Sequence, residues 1–510
     1  MSFISIEFFA FLLAALLAYY LLPKKTQWVV LLLASGVFYF LSGLVNFIFL
    51  FVSILTFFAG AHGVYRLIHH PEGARGKAAK WMLGGIIVLN FCLLAIFKLS
   101  GAAGHWVLQM ADRLGVSPDS GGLLLPLGIS FYTFQGTGYL LDVYRGKIIP
   151  ERNAAKFALF LSFFPQLVQG PISRFDQLSK QLTQNRAFDY NRLVRGSELM
   201  LFGFFKKLVI ANNIAPFTSR VFADTQTFPG LLVALTAVLG TFQLYCDFSG
   251  GIDIARGVAE MFGIVLPENF RRPYFSRSIS EYWRRWHISL NEWWREYLFF
   301  PITLSRPMNR LSRFLRKHVS NNAGKMISIY LGISVVRLAN AFWHGIDVRH
   351  LASGLYFSII MILALATREP LKKLTLKLRI RTESFGWRLF QMTRTFLLLC
   401  INRVLFMTDR FMSAVQAWKD MFSVFNPKVL FDGTLADALL TPYVVYVAGG
   451  GLLVVLAVSI LQEKGISIRD RLNTKHTALR WAVLLAGVVA VFAFGSYSLT
   501  GASSFLYARF

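Results

Sequence analysis

The chain has 510 residues, 55% of them hydrophobic and only 15% charged, with a mean hydropathy of +0.52. A soluble chain of this length would split into several domains with about half their surface polar, and so little charge excludes that. The net charge of +27 invites a nucleic-acid reading. The basic residues, however, cluster in loops between apolar runs, where retention on the cytoplasmic side and contact with anionic headgroups account for them.

In chain order, residues 6–22, 28–41, 47–65, 81–97, 231–244, 351–366, 443–461 and 481–494 are apolar runs. Each reaches, or with a few flanking residues approaches, the ~20 residues a bilayer-crossing helix needs. The expected fold class is therefore all-α and polytopic. No basic leader precedes Ile4, and Lys24 and Lys25 follow the first run. A retained first helix with its N-terminus outside is expected rather than a signal peptide. Lys24–Lys25, the loop carrying Arg66, Arg75, Lys77 and Lys80, and the loop carrying Arg145, Lys147, Arg152 and Lys156 then fall inside. The apolar stretch FALFLSFFPQLVQGPI is broken by Pro165, Gly170 and Pro171, with basic residues on both sides. It reads as re-entrant, with irregular backbone that protein or a water-filled cavity must surround.

Residues 268–325 hold twelve Lys/Arg against four Glu, and residues 368–394 hold eight against two. With both stretches cytoplasmic, the apolar segments 326–342 and 351–366 form a hairpin that places His344 near its far end. About eleven or twelve spans result. No internal repeat or linker appears, so one integral-membrane domain covering residues 1–510 is expected, with a motif-bearing core at about 120–370. Cys92, Cys246 and Cys400 lie in apolar surroundings without disulfide or metal spacing.

The segment EYWRRWHISLNEWW, residues 281–294, packs four tryptophans, two arginines and a histidine together. Read as one helix, it puts Trp283, Trp286, Leu290, Trp293 or Trp294, and Tyr297 on one broad face. Ser278 with Glu281 offers a capping-box start, and Glu281 can pair with Arg285 one turn on. Tryptophan at headgroup level and snorkelling arginine predict a helix lying in the cytoplasmic interface. His287 is not explained by that pattern.

PENFRRPYFSRSISEYWRRWHISLNEWWREYLFFPI resembles the signature segment of the membrane-bound O-acyltransferase (MBOAT) family. LPLGISFYTFQGTGYLLDVYRG, SFFPQLVQGPISRF, LYCDFSGGIDIARGVAEMFGI, AFWHG and FLYARF resemble further family segments in the same order, nearly end to end. The branch resembled is that of bacterial polysaccharide O-acetyltransferases of the alginate-acetylase type, with the D-alanyl transferases of teichoic acid as a sister branch. IDVRHLASG after AFWHG and PITLSRPMNR depart from the alginate-type pattern.

The resemblance implies a transmembrane bundle with re-entrant and interfacial helices around a central pore, and acyl transfer from a cytoplasmic thioester to a hydroxyl of an extracytoplasmic cell-surface polysaccharide. The donor is acetyl-CoA or a carrier-protein thioester, used as substrate, with no bound cofactor and no metal. An extracytoplasmic esterase-like partner, the bilayer of a bacterial cytoplasmic membrane and a polysaccharide acceptor are implied with it. His344, the family's characteristic histidine, is the candidate general base, because an imidazole titrates near working pH and an ionisable group inside an apolar hairpin is costly unless used. His287 is the second candidate. It either orients the donor and stabilises the oxyanion or packs among tryptophans. Asn340, Trp343, Asp247, Trp283 and Arg284 are possible supporting residues. Asn340 lies one turn before His344. Asp247, Ser249, Asp253 and Arg256 form a polar strip read as a structural network. Lys206, Lys207 and Arg337 either snorkel or line the donor's path. No HExxH, phosphate loop or G-x-S-x-G elbow is present. The alternatives are D-alanyl transfer to teichoic acid and, in another class, a transporter or flippase, for which the paired halves are missing.

Overall fold

The computed structural model describes residues 3–70, 76–98, 127–167, 169–345 and 347–497. The described residues are helical apart from turns and one isolated antiparallel bridge. Nine helices among them are long and apolar enough to cross a membrane, and the shorter apolar helix α1 (Ile6–Leu21) joins these. The terminal FLYARF and the first residues of the LPLG segment lie outside the described residues.

By its internal contacts the chain divides into two units that interleave in sequence. The first unit takes residues 1–203 and 251–267. Its helices include α2 (Gln27–Leu41), α3 (Leu44–Ile68), α4 (Gly76–Lys98), α5 (Ile129–Tyr144) and α6 (Ala154–Ser162). α5 is buried along nearly its whole length. Aromatic rings knit this unit: Phe157 lies 4.7 Å from Tyr139, and Phe164 lies 5.1 Å from Phe11. The proline-broken stretch leaves helical geometry at Phe163, and Phe163 to Leu167 are all buried. Protein therefore surrounds this irregular backbone, as membrane depth requires. Within this unit α7 (Tyr190–Phe204) meets the end of α8 (Leu231–Met261) at two glycines. A Cβ on Gly196 would sit 2.6 Å from the Gly257 carbonyl oxygen, and one on Gly257 2.5 Å from that of Gly196. Small residues let membrane helices approach this closely.

The second unit takes residues 204–250 and 268–506. Two short helices, α9 (Ile279–Arg285) and α10 (Ile288–Trp294), precede the basic, largely exposed α11 (Arg306–His318). Next comes the expected hairpin: α12 (Asn321–His344) and α13 (Val348–Ala366). A Cβ on Gly354 would lie 2.8 Å from that of Ala341 and 3.0 Å from the Arg337 carbonyl oxygen, so the hairpin closes on a glycine. α14 (Phe385–Met407), α15 (Pro442–Glu463) and α16 (Thr477–Phe494) follow. α16 buries one residue, Val491, and exposes Leu485, Val489 and Phe492. Such an apolar surface suits a helix in contact with lipid.

Candidate active site

The tryptophan-rich segment is not the single interfacial helix its spacing suggests. It is two seven-residue helices broken at Trp286–His287. The start is as expected: the Ser278 hydroxyl caps the Glu281 N–H at 3.2 Å, and Glu281 pairs with Arg285 at 2.8 Å. Glu281 also accepts from the Arg277 N–H at 2.9 Å. Then Trp286 turns extended and His287 adopts the left-handed conformation, φ 44° and ψ 56°. That region is costly for a residue with a Cβ, by about 1–2 kcal/mol.

Neighbouring hydrogen bonds hold the kink. Residues 269–271 run antiparallel beside 285–288: the Arg271 N–H donates to the Arg285 carbonyl at 2.9 Å and the Ile288 N–H to the Asn269 carbonyl at 3.0 Å. The Asn291 side-chain amide donates to the carbonyls of Trp286 (2.8 Å) and His287 (3.1 Å). Strain of this kind persists only where its surroundings over-determine it, and it gathers at functional sites. Trp286, Trp293 and Trp294 are buried in protein. The periodic apolar face was real, but protein rather than lipid covers it.

The His287 ring is buried, edge-on to Phe248 at 4.9 Å. Burial pushes its pKa down to about 3, so the imidazole is neutral across the physiological range. Asn269, itself buried, brings its side-chain amide to His287 Nδ1. Sequence reasoning passed over both Asn269 and Asn291. Nothing in local spacing links Asn269 to His287, because the bridge between 270 and 286 creates the proximity.

Trp283 stands against Phe357 at 5.1 Å and lies under the Arg337 guanidinium, whose carbon is 4.2 Å from the ring centroid. Arg337 also donates to Asn291 Oδ1 at 3.0 Å. Arg337 is therefore buried rather than snorkelling, and Asn291 connects it to the backbone of His287. Arg284 is exposed and joins none of this. Asp247 pairs with Lys207 at 2.5 Å, and Lys206 donates to Ser249 at 2.9 Å. All four side chains are buried. Asp253 and Arg256 pair with each other at 3.6 Å.

His344 is the last residue of α12. Its ring lies 4.5 Å from that of Trp343, 5.9 Å from Phe406, and nearly parallel to His350 at 6.5 Å. His350 is held by Asp347, Nδ1 to Oδ1 at 2.9 Å. Asp347 also caps α13 through the N–H groups of Arg349 and His350. Partial burial opposes its ionisation. The side chain of Arg349, the His350 N–H and the His350 ring outweigh that and hold its carboxyl well below the usual range. Asn340 is half-buried one turn before His344. His350 and Asp347 stand in the segment IDVRHLASG at the spacing of a cap and its first turn, a local signal that sequence reasoning passed over. The contacts of His287 and His344 fall in separate clusters, and α12 carries Arg337 and His344 seven residues apart on one face.

These features define a multi-pass helical membrane protein with a neutral buried histidine on a kink and a second histidine at a helix end. The chain belongs to the MBOAT, membrane-bound O-acyltransferase family, whose model matches residues 149–408. It is 33% identical over 419 residues to the probable alginate O-acetylase AlgI of Pseudomonas syringae pv. tomato, covering 81% of this chain and 74% of that protein. The peptidoglycan O-acetyltransferase of Helicobacter pylori is 30% identical over 387 residues, 69% of this chain and 68% of that protein. The teichoic acid D-alanyltransferase of Streptococcus thermophilus is 29% identical over 248 residues, covering 47% and 57%. The chain is an O-acyltransferase of the membrane.

Proposed function

We propose that the protein transfers acetyl from a cytoplasmic thioester, acetyl-CoA in the first instance, to a hydroxyl of a bacterial cell-surface polysaccharide. It works from the cytoplasmic membrane, directly or through an extracytoplasmic partner. The observation that carries the catalytic assignment is His344 at the end of a membrane-crossing helix, beside a second histidine oriented by a carboxylate. In this reading His344 takes the proton of the acceptor hydroxyl as its oxygen attacks the thioester carbonyl carbon. The carbonyl π pair moves to oxygen, and a hydrogen-bond donor stabilises the resulting oxyanion. Collapse breaks the C–S bond, and the departing thiolate takes the proton from His344. An ester and a free thiol result. Acetyl is preferred to D-alanyl because the O-acetylase relative aligns over 81% of the chain and the D-alanyltransferase over 47%.

The test is transfer of label from radiolabelled acetyl-CoA in membranes carrying the protein, with His344→Ala beside it. Label on glycan or protein with the parent and a loss of about a hundredfold or more in the variant is expected. Equal label from both removes His344 from the mechanism. Label only from carrier-borne D-alanine transfers the assignment to the other branch.

A further inference from the structure

The Asn269 amide has one orientation that satisfies its neighbours. Its Oδ1 lies 2.9 Å from the Ser289 backbone N and 2.9 Å from the Ser289 hydroxyl. A backbone N–H can only donate, so that atom must be the oxygen. The other end of the amide is then the NH2 group, 3.2 Å from His287 Nδ1; Oδ1 lies 3.3 Å from the same nitrogen, but the two Ser289 donors already take both of its lone pairs. An NH2 group only donates, so Nδ1 accepts and the single proton of the neutral imidazole sits on Nε2.

Resting on the acyltransferase reading above, we infer that Asn269 is a positioning residue that locks His287 as a neutral Nε2–H donor, aimed at the thioester carbonyl oxygen rather than serving as a base. The chemistry agrees with this division. Base catalysis needs a lone pair on the reacting nitrogen, and an Nε2 that carries the proton has none. A fixed N–H in a water-poor site is what a developing oxyanion requires. The backbone strain at His287 fits as well, because the kink between α9 and α10 turns the ring towards Asn269 instead of leaving it on a helix face. The charged groups on the surrounding elements are Glu281, Arg284 and Arg285 on α9, Glu292 on α10, Glu268, Arg271 and Arg272 on the segment beside the kink, Lys206 and the Lys207–Asp247 pair next to Phe248, and Arg337, reached through Asn291.

The experiment compares His287→Gln, His287→Phe and Asn269→Asp in acetyl transfer between pH 5.5 and 9, with 15N-histidine spectra of the whole protein in nanodiscs. Glutamine keeps a neutral N–H donor, so its kcat should stay within about tenfold of the parent, whereas phenylalanine should lose about 100- to 1,000-fold. Asn269→Asp makes the ring donate from Nδ1 instead. Nε2–H then survives only while the ring is an imidazolium, and activity should fall as pH rises, with KM little changed. If glutamine is as inactive as phenylalanine, or Asn269→Asp is faster and gains with pH, His287 is a base and the inference is overturned. A parent spectrum with the His287 proton on Nδ1 overturns it too. The spectra need no turnover. Absence of acetyl transfer in the parent would therefore count against the proposed reaction and leave the tautomer to be read directly, including where Asn269→Asp does not fold.

Discussion

Acid should destabilise this protein through His287, and His287→Gln should remove that part of the effect. In the folded state burial holds the ring pKa at about 3; in an unfolded chain it returns to about 6.5. A base whose folded pKa is depressed contributes stability that is fully present above the unfolded value. That stability is lost as pH falls, because the unfolded state then binds a proton the folded state refuses. Each unit between about pH 6.5 and 3 removes about 1.4 kcal/mol, so two units, at pH 4.5, remove about 2.7 kcal/mol. His287 is only 2% exposed, so solvent screening does little to dilute this figure. The assay is denaturant unfolding in detergent micelles from pH 7.5 to 4.5, parent against His287→Gln. The midpoints should converge or cross as pH falls, with the free-energy difference changing at about 1.4 kcal/mol per unit below 6.5. Parallel midpoints across that range would refute the argument, since the ring would then be titrating alike in both states.

Asp347→Asn keeps a good helix cap but removes the charge that orients His350; acetyl transfer should fall about tenfold with little change in unfolding midpoint, read by the labelled-acetyl assay and denaturation together. Arg337→Met deletes the guanidinium shared by Trp283 and Asn291. Losing a charged hydrogen bond and a desolvated cation–π contact should cost about 2 kcal/mol net of the relieved desolvation, and kcat should drop because Asn291 loses its hold on the His287 kink.

How far the fold and site could be read from sequence depended on the range of each signal. Hydropathy and charge found the α12–α13 hairpin because its helices are apolar and its flanks basic over long stretches. The same measure passed over the span Tyr190–Ala223, whose run is interrupted by Lys206 and Lys207. Those lysines are buried against Asp247 and Ser249, residues forty or so positions away, so their cost is met by partners no window contains. The span Phe385–Met407 was hidden likewise, because it begins inside a basic stretch. At the site, motif and periodicity pointed to His287 and His344 but misjudged the backbone between the tryptophans. Helical spacing on both sides of residue 287 was correct, and a two-residue break leaves too small a mark on such a pattern to reveal itself. What breaks the helix is the antiparallel pairing with residues 269–271 and the Asn291 amide. The first of these lies well outside the window and the second is indistinguishable by type from any polar helix residue. Chemistry follows from that long-range pairing. Local sequence supplies an imidazole, but in the inferred arrangement the Asn269 amide, fixed in turn by Ser289, decides which nitrogen carries the proton. In the proposed reaction the two histidines need not duplicate each other: a locked Nε2–H suits the oxyanion, and the base is left to the helix-end histidine beside His350.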